Sequence, residues 1–298
     1  MRLIAGLLLC FVSAAAGAWE PEPVQVNIFG DGNPDNGVED SREQLMGRSK
    51  TGLSLAEQRS TAGTVKCDGE NRGTAMVVST GEFADGLKGV VLVSAAHVFY
   101  NLEKKRPFKR CEFHFMALGE LPGYRAKIDL NNAVMGDYDP VGATDGEDFG
   151  EGDWAFLYVP KPWRNFNPAE ATRLRDFHSL QLESFQQSGG EFRLIAFDSS
   201  VGVLSVSRHC SVTLSDHDDL GGGVWRGQLL DDCDSTDGAS GGGIVAVIDG
   251  QQYLVGIRSG SHWSEEVYPG NSYPHGPPDG AVWSRHANTN FARSIDTD

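Results

Sequence analysis

Three short segments of the chain carry side chains able to do covalent chemistry. Val91-Leu-Val-Ser94-Ala95-Ala96-His97 is an apolar run ending in small residues and an imidazole. Gly152-Asp153-Trp154-Ala155-Phe156-Leu157 opens a second apolar run with a carboxylate, and Asp234-Ser235-Thr236-Asp237-Gly238-Ala239-Ser240-Gly241-Gly242-Gly243-Ile244 sets a serine in a glycine-rich turn. A serine hydroxyl is a weak nucleophile until an imidazole takes its proton, and the imidazole needs a buried carboxylate to fix its tautomer and stabilise its cation. His97, Asp153 and Ser240 fit these three roles, so the chemistry indicated is acyl transfer through a covalent intermediate. The glycines have a separate use: the backbone N–H groups of Gly238 and Ser240 must both face a developing oxyanion, a geometry that a Cβ tends to obstruct.

Elements that could position these groups are short and β-rich. Runs of Val, Thr, Phe and Leu occur at 73–80, 89–93, 112–116, 153–159, 192–197, 202–207, 243–248 and 253–257, separated by turn residues in the manner of a β-sandwich or barrel. Asp249-Gly250 between the last two runs predicts a type I′ hairpin, in which both central residues have φ > 0. One helical stretch is expected, over 168–185, where Ala171, Leu174, Phe177 and Leu182 fall near helical spacing. The strands thus divide into two all-β sets, a first β-barrel at 61–160 carrying His97 and Asp153 and a second at 186–298 carrying Ser240, with a helical connector at 161–185.

Length and composition agree with this. The 298 residues suffice for about two domain-sized units, and 40% hydrophobic with 22% charged residues is an ordinary globular balance. Residues 1–18 have the pattern of a secretory signal, with Arg2, an apolar run from Leu3 to Val12, and Ala16-Gly17-Ala18 before Trp19. The run is too short to span a bilayer, so no stable membrane association is expected and the destination is secreted or periplasmic. Residues 19–60 are polar and rich in Pro and Gly, an extended arm or a propeptide, with Arg59 a candidate cleavage point. Of the five cysteines, Cys10 leaves with the signal. The remaining four allow three pairings, of which Cys67 with Cys111 and Cys210 with Cys233 keeps each pair within one half of the chain. Each such bridge would contribute roughly 3 to 4 kcal/mol in the chain-entropy model. A net charge of −16 opposes binding to a phosphate backbone, so no nucleic-acid partner is expected.

With the three segments in the order His, Asp, Ser, the sequence resembles the chymotrypsin-like (trypsin-fold) serine peptidases. Ser94-Ala-Ala-His97, Asp153-Trp-Ala-Phe-Leu and Gly238-Ala-Ser240-Gly-Gly are similar to that family's histidine, aspartate and nucleophile motifs, and the resemblance covers about 61–290. It implies two antiparallel, six-stranded-type barrels with the site in the cleft between them, and a polypeptide substrate. The implied roles are nucleophile for Ser240, base and then acid for His97, and orienting carboxylate for Asp153. No cofactor or metal is implied, and oligomeric state is not indicated. Ala239 stands where activated animal members keep an aspartate for the new N-terminus, so the sequence is nearer to bacterial members, the glutamyl endopeptidase-like group among them. Asp234 stands where trypsin-like members keep the pocket carboxylate, and Asp234, Ser235, Arg258, Ser259 and Ser261 are the implied substrate-binding residues, with Ser259 near Asp153. Arg258 occupies the position of a histidine that reads acidic side chains in glutamyl-specific relatives. It either reads an acidic side chain here or pairs with Asp234 and leaves a neutral pocket, while Asp237 opposes an acidic substrate.

Two other readings compete. Gly238-x-Ser240-x-Gly242 also satisfies the nucleophile-elbow pattern of α/β-hydrolase esterases, but that fold needs Asp and then His after the serine, and alternating helices. A noncatalytic secreted binding protein on the same fold would have no need of His97, Asp153 and Ser240 together. The acidic loop 137–148 is faintly like a calcium loop, but Val141 and Asp148 fall where oxygen and glutamate ligands belong, so it is read as a solvated loop.

Overall fold

The computed structural model describes residues 26–27, 29–30, 42–45, 61–79, 89–101, 104–115, 123–138, 152–161, 163, 166, 171–177, 180–215, 228–263, 281–282 and 288–295. The candidate signal 1–18, Arg59 and the acidic loop beyond Tyr138 lie outside the described residues.

Each run of β-branched and aromatic residues forms a strand, and the strands gather into two large curled sheets. The first has seven strands in the order Tyr124–Lys127, Cys111–Phe115, Ala62–Cys67, Glu70–Val78, Val90–Ser94, Ala155–Val159 and Asp129–Met135, all antiparallel. Its two outermost strands are consecutive in sequence, separated by Ile128 alone. One continuous stretch therefore lies at both edges, and this curls the sheet into a barrel. The second sheet follows the same logic. Its order is Val212–Leu214, Gln228–Asp231, Asn288–Ser294, Gln251–Trp263, Gly243–Ile248, Glu191–Asp198, Val203–Cys210 and Arg42–Gln44, and only Ser211 separates Val212–Leu214 at one end from Val203–Cys210, the strand next to the other end.

Alternation sets which side chains turn inward. In Ala155–Val159 the residues Ala155, Leu157 and Val159 are buried while Phe156 and Tyr158 are half-buried, and Cys111–Phe115 alternates in the same way. The two cores meet at a seam where Gly243 lies against Met76 of the first barrel; a Cβ there would fall 2.8 Å from the methionine Cε. Cys67–Cys111 and Cys210–Cys233 are bonded, closing stretches of 44 and 23 residues within the first and second barrels. Asp249 and Gly250 both have positive φ, 50° and 75°, and Ile248 pairs with Gln251 around them, the expected hairpin.

Several expectations are corrected. Among the described residues, six strands per barrel becomes seven and eight, with Arg173–Leu174 adding a parallel pairing to Tyr253–Leu254. The helix expected over 168–185 is absent at 171–177, where Thr172 bridges Val78 and the chain runs extended; among the described residues of this stretch a helix forms only at Leu182–Gln187. Burial of Ala171 and Phe177 is met by draping the chain across both sheets rather than by one face of a helix. The N-terminal arm also contributes structure: Arg42–Gln44 pairs with Ser205–Ser207 and Leu45 is buried.

Candidate active site

Val90–Ser94 ends at Ser94, whose Oγ donates to the Thr74 carbonyl at 2.6 Å. The chain then enters a 3₁₀ turn, Ala96–Phe99, that buries Ala96, Val98 and Phe99 and leaves His97 on the outside. Asp153 lies two residues before Ala155–Val159, which pairs directly with Val90–Ser94, so strand pairing alone brings the carboxylate to the histidine turn. The Asp153 side chain is fully buried and that of His97 is 21% exposed. Asp153 Oδ1 accepts from the His97 backbone N–H at 2.8 Å, and Oδ2 accepts from His97 Nδ1 at 2.7 Å and from Ser259 Oγ. An ionised carboxylate only accepts hydrogen bonds, so the imidazole proton sits on Nδ1 and Nε2 is left as the basic nitrogen.

Ser240 stands in a turn held by both barrels. Ala239 N–H donates to Thr236 O at 3.0 Å, Gly242 N–H to Ala239 O at 2.8 Å, and Gly241 N–H to Arg258 O at 2.8 Å. From the first barrel, Thr74 N–H donates to Ser240 O at 2.8 Å and Thr74 Oγ1 to Gly238 O at 2.9 Å. Gly241 has φ 78°, and a Cβ there would fall 2.1 Å from Ser94 Oγ and 2.2 Å from Thr74 O. Only glycine fits, because the Ser240 turn lies directly on the end of Val90–Ser94. Gly238, at φ 93°, sits against the Phe197 ring.

Ser240 Oγ donates a long hydrogen bond, 3.5 Å, to the Ser259 carbonyl. Ser259 thus links the two halves of the site, its carbonyl accepting from the Ser240 hydroxyl and its own hydroxyl donating to Asp153. Among the described residues there is no hydrogen bond between His97 and Ser240. Gly73 packs between the Ser240 turn and the residue after His97: a Cβ there would fall 2.6 Å from Ser240 O and 2.7 Å from a Val98 methyl.

Electrostatics tie His97 to Asp153. Burial alone would lower the His97 pKa, but the charge of Asp153 and its hydrogen bond outweigh it and the pKa is raised. For Asp153, burial pushes upward and is outweighed by His97 and by the hydrogen bonds from His97 and Ser259, so its pKa is lowered.

The expected specificity residues are all placed in the second barrel, with one difference in pairing. Arg258 is buried and its Nη2 lies 2.9 Å from Asp231 Oδ1, with further bonds to Cys233 O at 3.5 Å and Gly260 O at 3.4 Å. The expected partner Asp234 gives way to Asp231, which ends the strand Gln228–Asp231 and points into the same interior. Asp234 is buried and its N–H donates to Ser207 Oγ at 2.9 Å. Ser235 is buried and pairs with Asn27 of the arm, and Ser261 is half-buried and pairs with Asn290. Thr74 and Asp231 escaped the sequence reading; the visible signals were a lone polar residue inside Gly73-Thr-Ala-Met-Val77 and an acid closing the apolar pair Leu229-Leu230.

No family model matches the chain, and no curated protein matches it in sequence. Solved structures do match in shape. One is the protease Anisep from Arthrobacter nicotinovorans, at 10% identity and a TM-score of 0.50, covering 85% of this chain and 93% of that one. Another is a Glu endopeptidase in complex with MPD, at 13% identity and a TM-score of 0.52, covering 87% and 93%. The chain has the trypsin-like fold, and an α/β-hydrolase esterase is thereby set aside.

Proposed function

We propose that the chain is a secreted or periplasmic serine endopeptidase acting through Ser240, His97 and Asp153. The observation that carries this is Asp153: a carboxylate sealed from water, holding the His97 ring and backbone, and joined to Ser240 through Ser259. A groove protein that only binds gains nothing from such an arrangement.

In the proposed reaction a χ1 rotation of Ser240 of about 120° turns Oγ from the Ser259 carbonyl toward His97 Nε2. Oγ then attacks the substrate carbonyl carbon while its proton passes to Nε2, and Asp153 stabilises the imidazolium. The oxyanion is received by the N–H groups of Gly238 and Ser240. The Ala239 carbonyl is held inward by Gly242 N–H, and in a trans peptide the following N–H points the opposite way, so the Ser240 N–H faces out of the turn. The C–N bond breaks as Nε2 returns the proton to the amine, and water hydrolyses the ester by the same steps reversed. Two disulfides suit export, and among the described residues no helix is long and apolar enough to cross a membrane.

A fluorophosphonate should label Ser240, and Ser240→Ala should fold normally and take no label. A folded, processed sample that is not labelled, or a Ser240→Ala protein that retains burst kinetics on an ester substrate, refutes the assignment.

A further inference from the structure

A cavity of about 350 Å³ opens at the seam of the barrels, lined by Thr64, Lys66, Asn71, His114 and Arg125 from the first and Phe197 from the second, among others. Strand register explains why cations gather there. Thr74, Thr64, His114 and Arg125 are successive partners across four adjacent strands, and Asn71, Lys66, Glu112 and Lys127 form the next row on the same face. These two rows hold Lys66, Arg125 and Lys127 against the single acid Glu112, on a chain whose net charge is −16. Glu112 is itself engaged by His114 Nε2 at 3.1 Å. Burial holds His114 below its ordinary pKa despite Glu112, and the charges of Lys66 and Arg125 act in the same direction. Among the described residues neither Lys66 nor Arg125 has an ion-pair partner. Beside Phe197, the carboxylate of Asp198 is taken by Arg42 at 3.2 Å.

The row begins at the nucleophile turn. Thr74 donates to Gly238 O, and Phe197, a wall of the cavity, lies against Gly238. Strands are spaced about 4.8 Å apart, so Thr64, His114 and Arg125 stand roughly 5, 10 and 14 Å from Thr74. An extended polypeptide advances about 3.3 Å per residue, so a chain held at Ser240 reaches these groups about two to five residues away.

We infer that this basic row and its cavity bind Asp or Glu side chains of a polypeptide, two to five residues to one side of the bond cut at Ser240. The inference rests on the peptidase reading for its geometry, but its binding component is measured without catalysis. Ser240→Ala protein is titrated with fluorescent peptides identical except for three Glu, three Gln or three Lys at those positions. The Glu peptide should bind roughly 5- to 10-fold tighter than the Gln peptide, as expected for two half-exposed ion pairs, and the advantage should shrink as salt rises from about 0.05 to 0.5 M. Lys66→Glu with Arg125→Glu should invert the order, and Lys66→Arg should preserve it. Because the double reversal could impair folding, the exposed single change Arg125→Gln gives a second reading, expected to remove about half of the logarithmic preference. Equal binding of the three peptides, or an order unmoved by charge reversal in a normally melting protein, overturns the inference. Glu-selective binding by a protein that fluorophosphonate does not label would leave the acidic-peptide site standing and remove the peptidase reading.

Discussion

Asp231→Asn removes the one full charge in direct contact with a buried guanidinium. Arg258 is 2% exposed and Asp231 is fully buried, 2.9 Å from its Nη2. Asparagine can still accept the Cys233 N–H that Asp231 Oδ1 receives at 3.0 Å, so the change isolates the charge from the hydrogen bond. Breaking a buried pair in this way costs about 3 to 5 kcal/mol, because the remaining ion has lost its compensation in a poorly solvated site. Burial lowers the Arg258 pKa while Asp231, Asp232 and Asp234 raise it, so the two remaining aspartates supply part of the lost field and the cost belongs at the lower end, about 3 kcal/mol. In a domain of this size that is a fall in Tm of roughly 6 to 12 °C, read by calorimetry at pH 7. The double variant Asp231→Asn/Arg258→Met should recover at least ~2 kcal/mol of the summed single losses. Since the guanidinium is used by the protein itself, Arg258→Met should also leave the ratio of kcat/KM between glutamyl and alanyl substrates within about 3-fold. A loss below ~1 kcal/mol for Asp231→Asn, additive single losses, or a collapse of glutamyl cleavage alone would show that Arg258 faces the substrate.

Three further outcomes follow from the same geometry. Gly241→Ala must displace the Thr74 backbone and adopt a positive φ, so kcat on a peptide substrate should drop at least ~100-fold, as when an oxyanion donor is misplaced, while circular dichroism still shows the fold. Ser259→Ala removes one donor to Asp153, a bond to a charged group worth about 1.5 to 3 kcal/mol, and should lower kcat/KM by about 10- to 100-fold; the wild-type acid limb should lie above the ordinary histidine value of 6.5, because the free enzyme needs neutral His97. For Asp232, burial pushes the pKa up to about 6, so between pH 4 and 6 the unfolded chain gives up a proton that the folded one keeps and stability falls. Asp232→Asn, which still accepts from Ser211 N–H, should therefore match wild type in Tm near pH 4 and exceed it from pH 6 upward.

The barrels were legible because buried strands of an antiparallel sheet advertise themselves by alternation and turn residues, as at 111–115 and around Asp249-Gly250. The amphipathic edge strands Tyr124–Lys127 and Asp129–Met135 were not, because they carry too many polar residues on their outer face, and neither was Gln228–Asp231, an interior strand that is short and fully buried. The expected helix failed for a related reason. Ala171, Leu174 and Phe177 have helical spacing, but the open edge beside Tyr253 offers backbone partners to an extended chain, and tertiary pairing outweighs a weak local preference.

At the candidate site the sequence singles out particular side chains at particular turns, and it is silent where the site is held by the backbone of distant strands. His97, Asp153 and Ser240 stand at strand ends, where a polar residue in an apolar context is visible. Thr74 does not stand out, yet it bonds Ser240 O, Gly238 O and Phe197 N–H at 2.8, 2.9 and 2.8 Å, joining the nucleophile turn to both barrels. Its hydroxyl is both donor and acceptor in a buried seam, so valine at that position keeps the volume and leaves two buried backbone groups without partners, a loss of about 2 to 6 kcal/mol. Serine keeps the hydroxyl and costs only the methyl, about 1 kcal/mol. If Thr74→Val were tolerated as well as Thr74→Ser, the seam would be held by apolar packing such as Met76 on Gly243, and the precision of the nucleophile turn would have to come from the second barrel alone.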